Sequence, residues 1–120
     1  MVRDSWDLKK GIGLMPIEIT EENYSSEIEH SNLPVILDVY ATWCGPCKVT
    51  KPIFIDLEKD YIGKCKFAFL NTDHCRNLAI KFGITSIPTF IFIKNGQPLG
   101  KTIGGKSRTE LQEFIDGYLD

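Results

Sequence analysis

A chain of 120 residues with 42% hydrophobic and 25% charged side chains is long enough to bury one core without cross-links and too apolar to remain unfolded. Its formal net charge of −2 comes from interspersed charges, which argues against the clustered basic face that nucleic acid or an anionic membrane requires. No apolar run approaches the roughly 18–20 residues needed to span a bilayer.

The opening MVRDSWDLKKGIGL has scattered charges and no apolar stretch, so it does not read as a secretory signal. Residues 1–15 read as a poorly ordered appendage with a short helical piece around residues 6–10, and residues 16–120 as the domain. Met15-Pro-Ile-Glu-Ile-Thr alternates and predicts a first strand ending at Thr20. Thr20 is placed to cap a helix over residues 21–29, whose early acidic residues suit the positive helix end.

Residues 33–41, LPVILDVYA, form a nearly continuous apolar run rich in β-branched side chains, the pattern of a strand buried on both faces. A helix is expected from the following CGPC to about Tyr61, with Val49, Ile53, Leu57 and Tyr61 as its stripe and a kink at Pro52. KFAFLNT, residues 66–72, predicts a third strand. Asp73 then caps a short helix through Leu78, Ala79 and Phe82, which Gly83 ends.

TFIFIK, residues 89–94, is a fourth strand. Asn95-Gly96 is a strong hairpin signal, leading into a return strand over residues 98–103. Ser107-Arg-Thr-Glu110 is a capping box, and Leu111, Phe114, Ile115, Tyr118 and Leu119 make one apolar face of a last helix. The order predicts an α/β domain: an open mixed sheet of about five strands, mostly parallel with an antiparallel C-terminal hairpin, flanked by helices on both faces. In such sheets sites form where strand ends meet helix starts, and CGPC lies at such a junction.

Cys44 and Cys47 admit three readings. Structural zinc takes two ligand pairs, whereas Cys65, His74 and Cys75 supply no second pair. A structural bridge across two residues closes almost no loop and adds little stability. A redox pair has the most support from its neighbours: Cys44 at a helix start faces unpaired N–H groups that favour thiolate, and Pro46 fits the first turn. Cys47, one turn in, is expected to be the more shielded, giving an exposed nucleophile and a buried resolving thiol. Without export the four cysteines, Cys65 and Cys75 included, are expected in a reducing compartment. Asp38, mid-strand in an apolar run, is costly unless it has a role; it shares a face with Ile36 and Tyr40 and reads as a proton acceptor whose pKa burial raises. Pro88 opens the fourth strand, where a cis bond is plausible.

Asp38, Trp43-Cys44-Gly45-Pro46-Cys47-Lys48, Lys51-Pro52, Ile87-Pro88-Thr89 and Gly104-Gly105 together resemble the thioredoxin family over residues 16–120. The resemblance implies that Cys44 attacks, Cys47 resolves, Asp38 handles the Cys47 proton and Pro88 is a cis-proline facing the disulfide. It implies that Trp43, Gly45, Pro46, Ile87 and Gly104 form the surface that receives substrates, with the Ile87 backbone pairing with the substrate chain. It further implies a monomeric cytoplasmic protein-disulfide reductase in cell redox homeostasis, with no cofactor of its own, acting on disulfide-containing proteins and reduced by a thioredoxin reductase drawing on NADPH through flavin. No metal, nucleic acid or membrane is implied.

The chain departs from the family where many bacterial members carry a lysine near the buried acid: Phe69 stands there, with Lys51 as a possible substitute. Asp38 is therefore expected to titrate higher than in those relatives. Tyr40 replaces a common aromatic and is expected to be harmless. Cys75 reads either as a loop thiol with no role or as a candidate for regulatory oxidation or intermolecular pairing; Cys65 is expected only to pack. Residues 1–14 have no counterpart in the minimal domain, either as an added segment or as sequence ahead of a start at Met15. The competing functions are a partner-binding module with incidental redox chemistry, a zinc-stabilised domain, and an exported reductant or isomerase.

Overall fold

The computed structural model describes residues 15–119, so the expected appendage and its helical piece lie outside the described residues apart from Met15. In chain order the elements are β1 (Ile17–Glu18), a π-helical turn (Ser25–Glu29), β2 (Val35–Tyr40), α1 (Gly45–Leu57) continued by a 3₁₀ turn (Glu58–Tyr61), β3 (Lys66–Asn71), α2 (Arg76–Lys81), β4 (Thr89–Lys94), β5 (Gln97–Ile103) and α3 (Arg108–Leu119).

The five strands form one open mixed sheet in the order β1-β3-β2-β4-β5. Both β1 and β2 run parallel to β3. Antiparallel pairing extends one strand further than the expected hairpin, because β4 is antiparallel to β2 as well as to β5. β2 is central and buried on both faces, as its apolar run predicts.

That alternation divides the core in two. Leu37, Val39, Leu70 and Ile91 face Ile19, Ile28 and Leu78 on one side of the sheet. Ile36, Phe67, Phe69, Phe90 and Phe92 meet Phe54 and Leu57 of α1 and Leu111 and Ile115 of α3 on the other. Phe54 is fully buried at the centre of this second layer, its ring 4.8 Å from Phe67, 5.3 Å from Phe69 and 5.9 Å from Phe90. These aromatic contacts dock the C-terminal half of α1 onto β3 and β4.

Local signals hold where the chain can satisfy itself within a few residues. Asn95 and Gly96 both have positive φ, 53° and 75°, the requirement of the tight turn that matches strand twist. Ser107 and Glu110 exchange hydrogen bonds: Glu110 N–H donates to Ser107 Oγ at 3.1 Å and Ser107 N–H to Glu110 Oε1 at 2.9 Å. Thr20 accepts from Asn23 N–H at 3.1 Å, but the segment it caps is a turn followed by the π-helical Ser25–Glu29, not a regular helix over residues 21–29. β1 is only two residues long.

Two further expectations are corrected. Val49 is 71% exposed; the buried stripe of α1 is Cys47, Thr50, Phe54 and Leu57, a 3.6-residue repeat on the face that packs Phe54 and Leu57 against the sheet. Asp73 does not cap α2, whose capping position is Cys75 without a side-chain bond. Its carboxylate is taken by Trp43 instead. Pro52 lies inside α1 as expected.

Candidate active site

The site begins where β2 ends. The chain turns through Ala41, Thr42 and Trp43, with Cys44 N–H donating to Ala41 carbonyl oxygen at 3.2 Å, and α1 starts at Gly45 with Pro46 in its first turn. Cys44 is the capping residue, in extended conformation, and its Sγ accepts the Cys47 N–H at 3.2 Å. A sulfur in that position receives an otherwise unpaired helix N–H and the positive end of the dipole, which favours negative charge on it. Thr50 Oγ1 donates to the Pro46 carbonyl at 3.0 Å and fastens the first turn.

Cys44 and Cys47 are joined as a disulfide with Cα atoms 5.3 Å apart. The expected contrast in exposure is absent in this oxidised state: each residue is 5% exposed, and both pack in one cluster with Ala41 against Tyr40 and Ile87. The asymmetry is electrostatic: Cys44 sits at the helix end, whereas Cys47 belongs to the buried stripe of α1.

Around the disulfide the chain brings together residues far apart in sequence. Ala41, Cys44 and Cys47 pack as a small cluster against Tyr40 and Ile87. The Ile87–Pro88 bond is cis, and the Pro88 carbonyl accepts from Gly104 N–H at 2.8 Å. Gly104 has φ of 99°, a conformation that glycine adopts without steric cost. A Cβ on Gly105 would lie 3.9 Å from Pro46 Cβ, so the Gly104-Gly105 turn sits against the α1 start. Trp43 is 69% exposed, and its Nε1–H donates to Asp73 Oδ2 at 3.1 Å. Gly45 and Pro46 are exposed beside it.

Asp38 is 2% exposed, and its Oδ1 has no hydrogen-bond partner among the described residues. A cleft of about 160 Å³ connects Asp38 and Cys47 with Tyr40, Lys51 and Phe69. Burial first, and the Glu18 charge second, raise the Asp38 pKa from 3.8 to about 8, while Lys51 pulls it down. Phe69 is the Cα partner of Asp38 across β2 and β3, so the neighbouring strand offers it a ring and no cation. Lys51 reaches the same region from α1, its Nζ 5.6 Å from the Phe69 ring centre and 6.0 Å from that of Tyr40.

Tyr40 is more than a packing residue. Its hydroxyl donates to Glu18 Oε1 at 3.0 Å, and burial raises its own pKa to about 12. Neither Glu18 nor Asp73 stands out in the sequence as a site residue. Glu18 alternates with Ile17 and Ile19, which puts it on the other face of β1, but only strand register shows which face that is.

Cys75 is 2% exposed and its thiol donates to the Ile19 carbonyl at 3.3 Å. Burial, followed by the charges of Glu21, Glu18 and Glu22, raises its pKa. A covered thiol held as the thiol is a poor oxidation target, which counts against the regulatory reading. Cys65 packs among the aromatic residues beneath α1, and burial pushes its pKa to about 12. Among the described residues no group of three or more His, Cys, Asp or Glu could hold a metal ion.

The sequence model of the family described as Thioredoxin matches residues 15–117. The chain is 40% identical over 99 residues to "Thioredoxin M5, chloroplastic" of Oryza sativa subsp. japonica, an alignment covering 82% of this chain and 58% of that protein. It is 35% identical over 103 residues to "Thioredoxin" of Haemophilus influenzae, covering 86% and 96%, and 35% identical over 102 residues to "Thioredoxin" of Synechocystis sp., covering 85% and 95%. The chain thus spans under three fifths of the length of the rice relative and nearly all of the two bacterial ones.

Proposed function

The chain belongs to the thioredoxin family, and on that premise we propose that it is a thiol–disulfide oxidoreductase that reduces protein disulfides. The observation that carries the reading is the Cys44–Cys47 disulfide at the α1 start, with a helix N–H on Cys44 Sγ and Asp38 in the cleft behind Cys47. The disulfide is the product state of the cycle.

From the dithiol, Cys44 thiolate attacks one sulfur of a target disulfide. The target S–S bond breaks, a mixed disulfide forms, and the departing target thiolate takes up a proton. Cys47 gives its proton to the Asp38 carboxylate and attacks Cys44 Sγ. The mixed disulfide breaks, the second target thiolate leaves and is protonated, and Cys44–Cys47 closes. The target gains two electrons and the pair loses two. An external dithiol returns them; a thioredoxin reductase fits that role.

Trp43, Gly45, Pro46, Ile87 and Gly104 are the proposed docking surface. Their support is that Trp43, Gly45 and Pro46 are exposed around the disulfide, while Ile87 packs against it and Gly104 is hydrogen-bonded to Pro88. The proposed protein is a monomer in a reducing compartment, the cytoplasm. Relatives named chloroplastic make the chloroplast the competing address, which fractionation of the source cells separates.

Reduction of a model protein disulfide, with a reductase regenerating the dithiol, tests the reading. Wild type turns over, Cys44→Ser does not, and Cys47→Ser accumulates the mixed disulfide. An inactive wild type would overturn the proposal. Partner binding that survives loss of both cysteines would favour a recognition module instead.

A further inference from the structure

The strand register sets a second carboxylate in line with Asp38. Glu18 on β1 is the Cα partner of Phe69 on β3, and Phe69 is the partner of Asp38 on β2. Directly paired residues share a sheet face, so Glu18, Phe69 and Asp38 stand abreast on one side. Two interstrand spacings put the two acids about 10 Å apart.

The space between them is filled by aromatic rings. The Tyr40 ring packs edge-on to Phe69 at 5.4 Å, and its hydroxyl holds Glu18 at 3.0 Å. Lys51, four residues beyond Cys47 on α1, lies over both rings. Glu18 is exposed as a residue, yet partial desolvation of its carboxylate raises its pKa, against which the Tyr40 hydrogen bond, Lys51 and His74 act. The rings displace part of the water between the two carboxyls, which weakens the screening there without removing it.

Resting on the proposed role of Asp38, we propose that Glu18, held by Tyr40 and balanced by Lys51, is a positioning residue for the resolving step: it acts through Asp38 and sets the pH range in which that acid takes the Cys47 proton. Charged or titratable groups reach the Asp38 region from three elements: Glu18 of β1, Tyr40 of β2, and Cys47, Lys48 and Lys51 of α1. β3 and β4 pair only phenylalanines with it, Phe69 and Phe90. Of these groups, Glu18 raises the Asp38 pKa and Lys51 lowers it. The two act in opposite directions on one acid.

The test titrates the Asp38 carboxyl of the oxidised protein by NMR at low salt in wild type, Glu18→Gln, Glu18→Lys and Lys51→Met. Two unit charges about 10 Å apart beside solvent shift a midpoint by a few tenths of a unit to about one unit. Glu18→Gln lowers the Asp38 midpoint by that much, Glu18→Lys lowers it about twice as far, and Lys51→Met raises it. Added salt shrinks each shift. The pH profile for resolving a preformed mixed disulfide moves in the same direction in each variant. A midpoint in Glu18→Gln indistinguishable from wild type overturns the proposal. So do shifts of the same sign in Glu18→Gln and Lys51→Met, since that is loosened packing rather than opposed charge. An inactive wild type would refute the reductase reading, whereas the carboxyl titration reads the Glu18 linkage whatever the activity.

Discussion

Replacing Asp38 by Asn removes a charge from the middle of the sheet while keeping the side-chain shape. Asp38 is 2% exposed and titrates at about 8 in the fold, against 3.8 for the free side chain. Between those values the folded protein holds a proton that the unfolded chain has released. Stability is therefore full below the lower value and falls as pH rises through the window. At about 1.36 kcal/mol per unit, the carboxyl costs the oxidised fold about 2 kcal/mol near pH 5, about 4 kcal/mol near pH 7 and about 5–6 kcal/mol near pH 8.5. Asp38→Asn lifts that cost. The buried amide has a desolvation cost of its own, which subtracts a constant and leaves the slope. Urea unfolding of both oxidised proteins across this range, extrapolated linearly, should show the variant gaining about 3–4 kcal/mol on wild type between about pH 5 and pH 8.5. Parallel stability curves would refute the reasoning, because they would mean that the fold binds the carboxylate as well as water does.

Three further outcomes follow from the packing and caps. Phe54→Ala removes the ring on which Phe67, Phe69 and Phe90 converge and should cost about 3–5 kcal/mol in urea unfolding; a loss under about 1 kcal/mol would show that the layer closes over the gap. Ser107→Ala deletes the acceptor for Glu110 N–H at the start of α3 and should cost about 1 kcal/mol in the same assay, with no change in disulfide reduction. Cys75 should resist alkylation by a maleimide in the native protein and react fully once unfolded, as followed by mass spectrometry, since its thiol is covered and bonded to the Ile19 carbonyl. Rapid native labelling would restore it as an oxidation candidate.

The sequence by itself determined the features that close within a few residues or repeat along one element. The capping box at Ser107 and Glu110, the Asn95-Gly96 turn and the helix start at CGPC each satisfy backbone groups locally, and the buried run of β2 shows in its own unbroken apolar pattern. Cys44, Cys47 and Asp38 were legible for a related reason: a cysteine pair at a strand-to-helix junction and a carboxylate in an apolar strand are conspicuous wherever the chain goes. Tertiary structure alone decided what depends on partners distant in sequence. It turned α1 so that Val49 faces water and Thr50 the core, ran β4 against β2, covered Cys75, and gave the Asp73 carboxylate to Trp43. It also set Glu18, Phe69 and Asp38 abreast. The physical reason is that register and burial are settled by side-chain packing between elements, and a shift of one residue in β1 would send Glu18 to the opposite face.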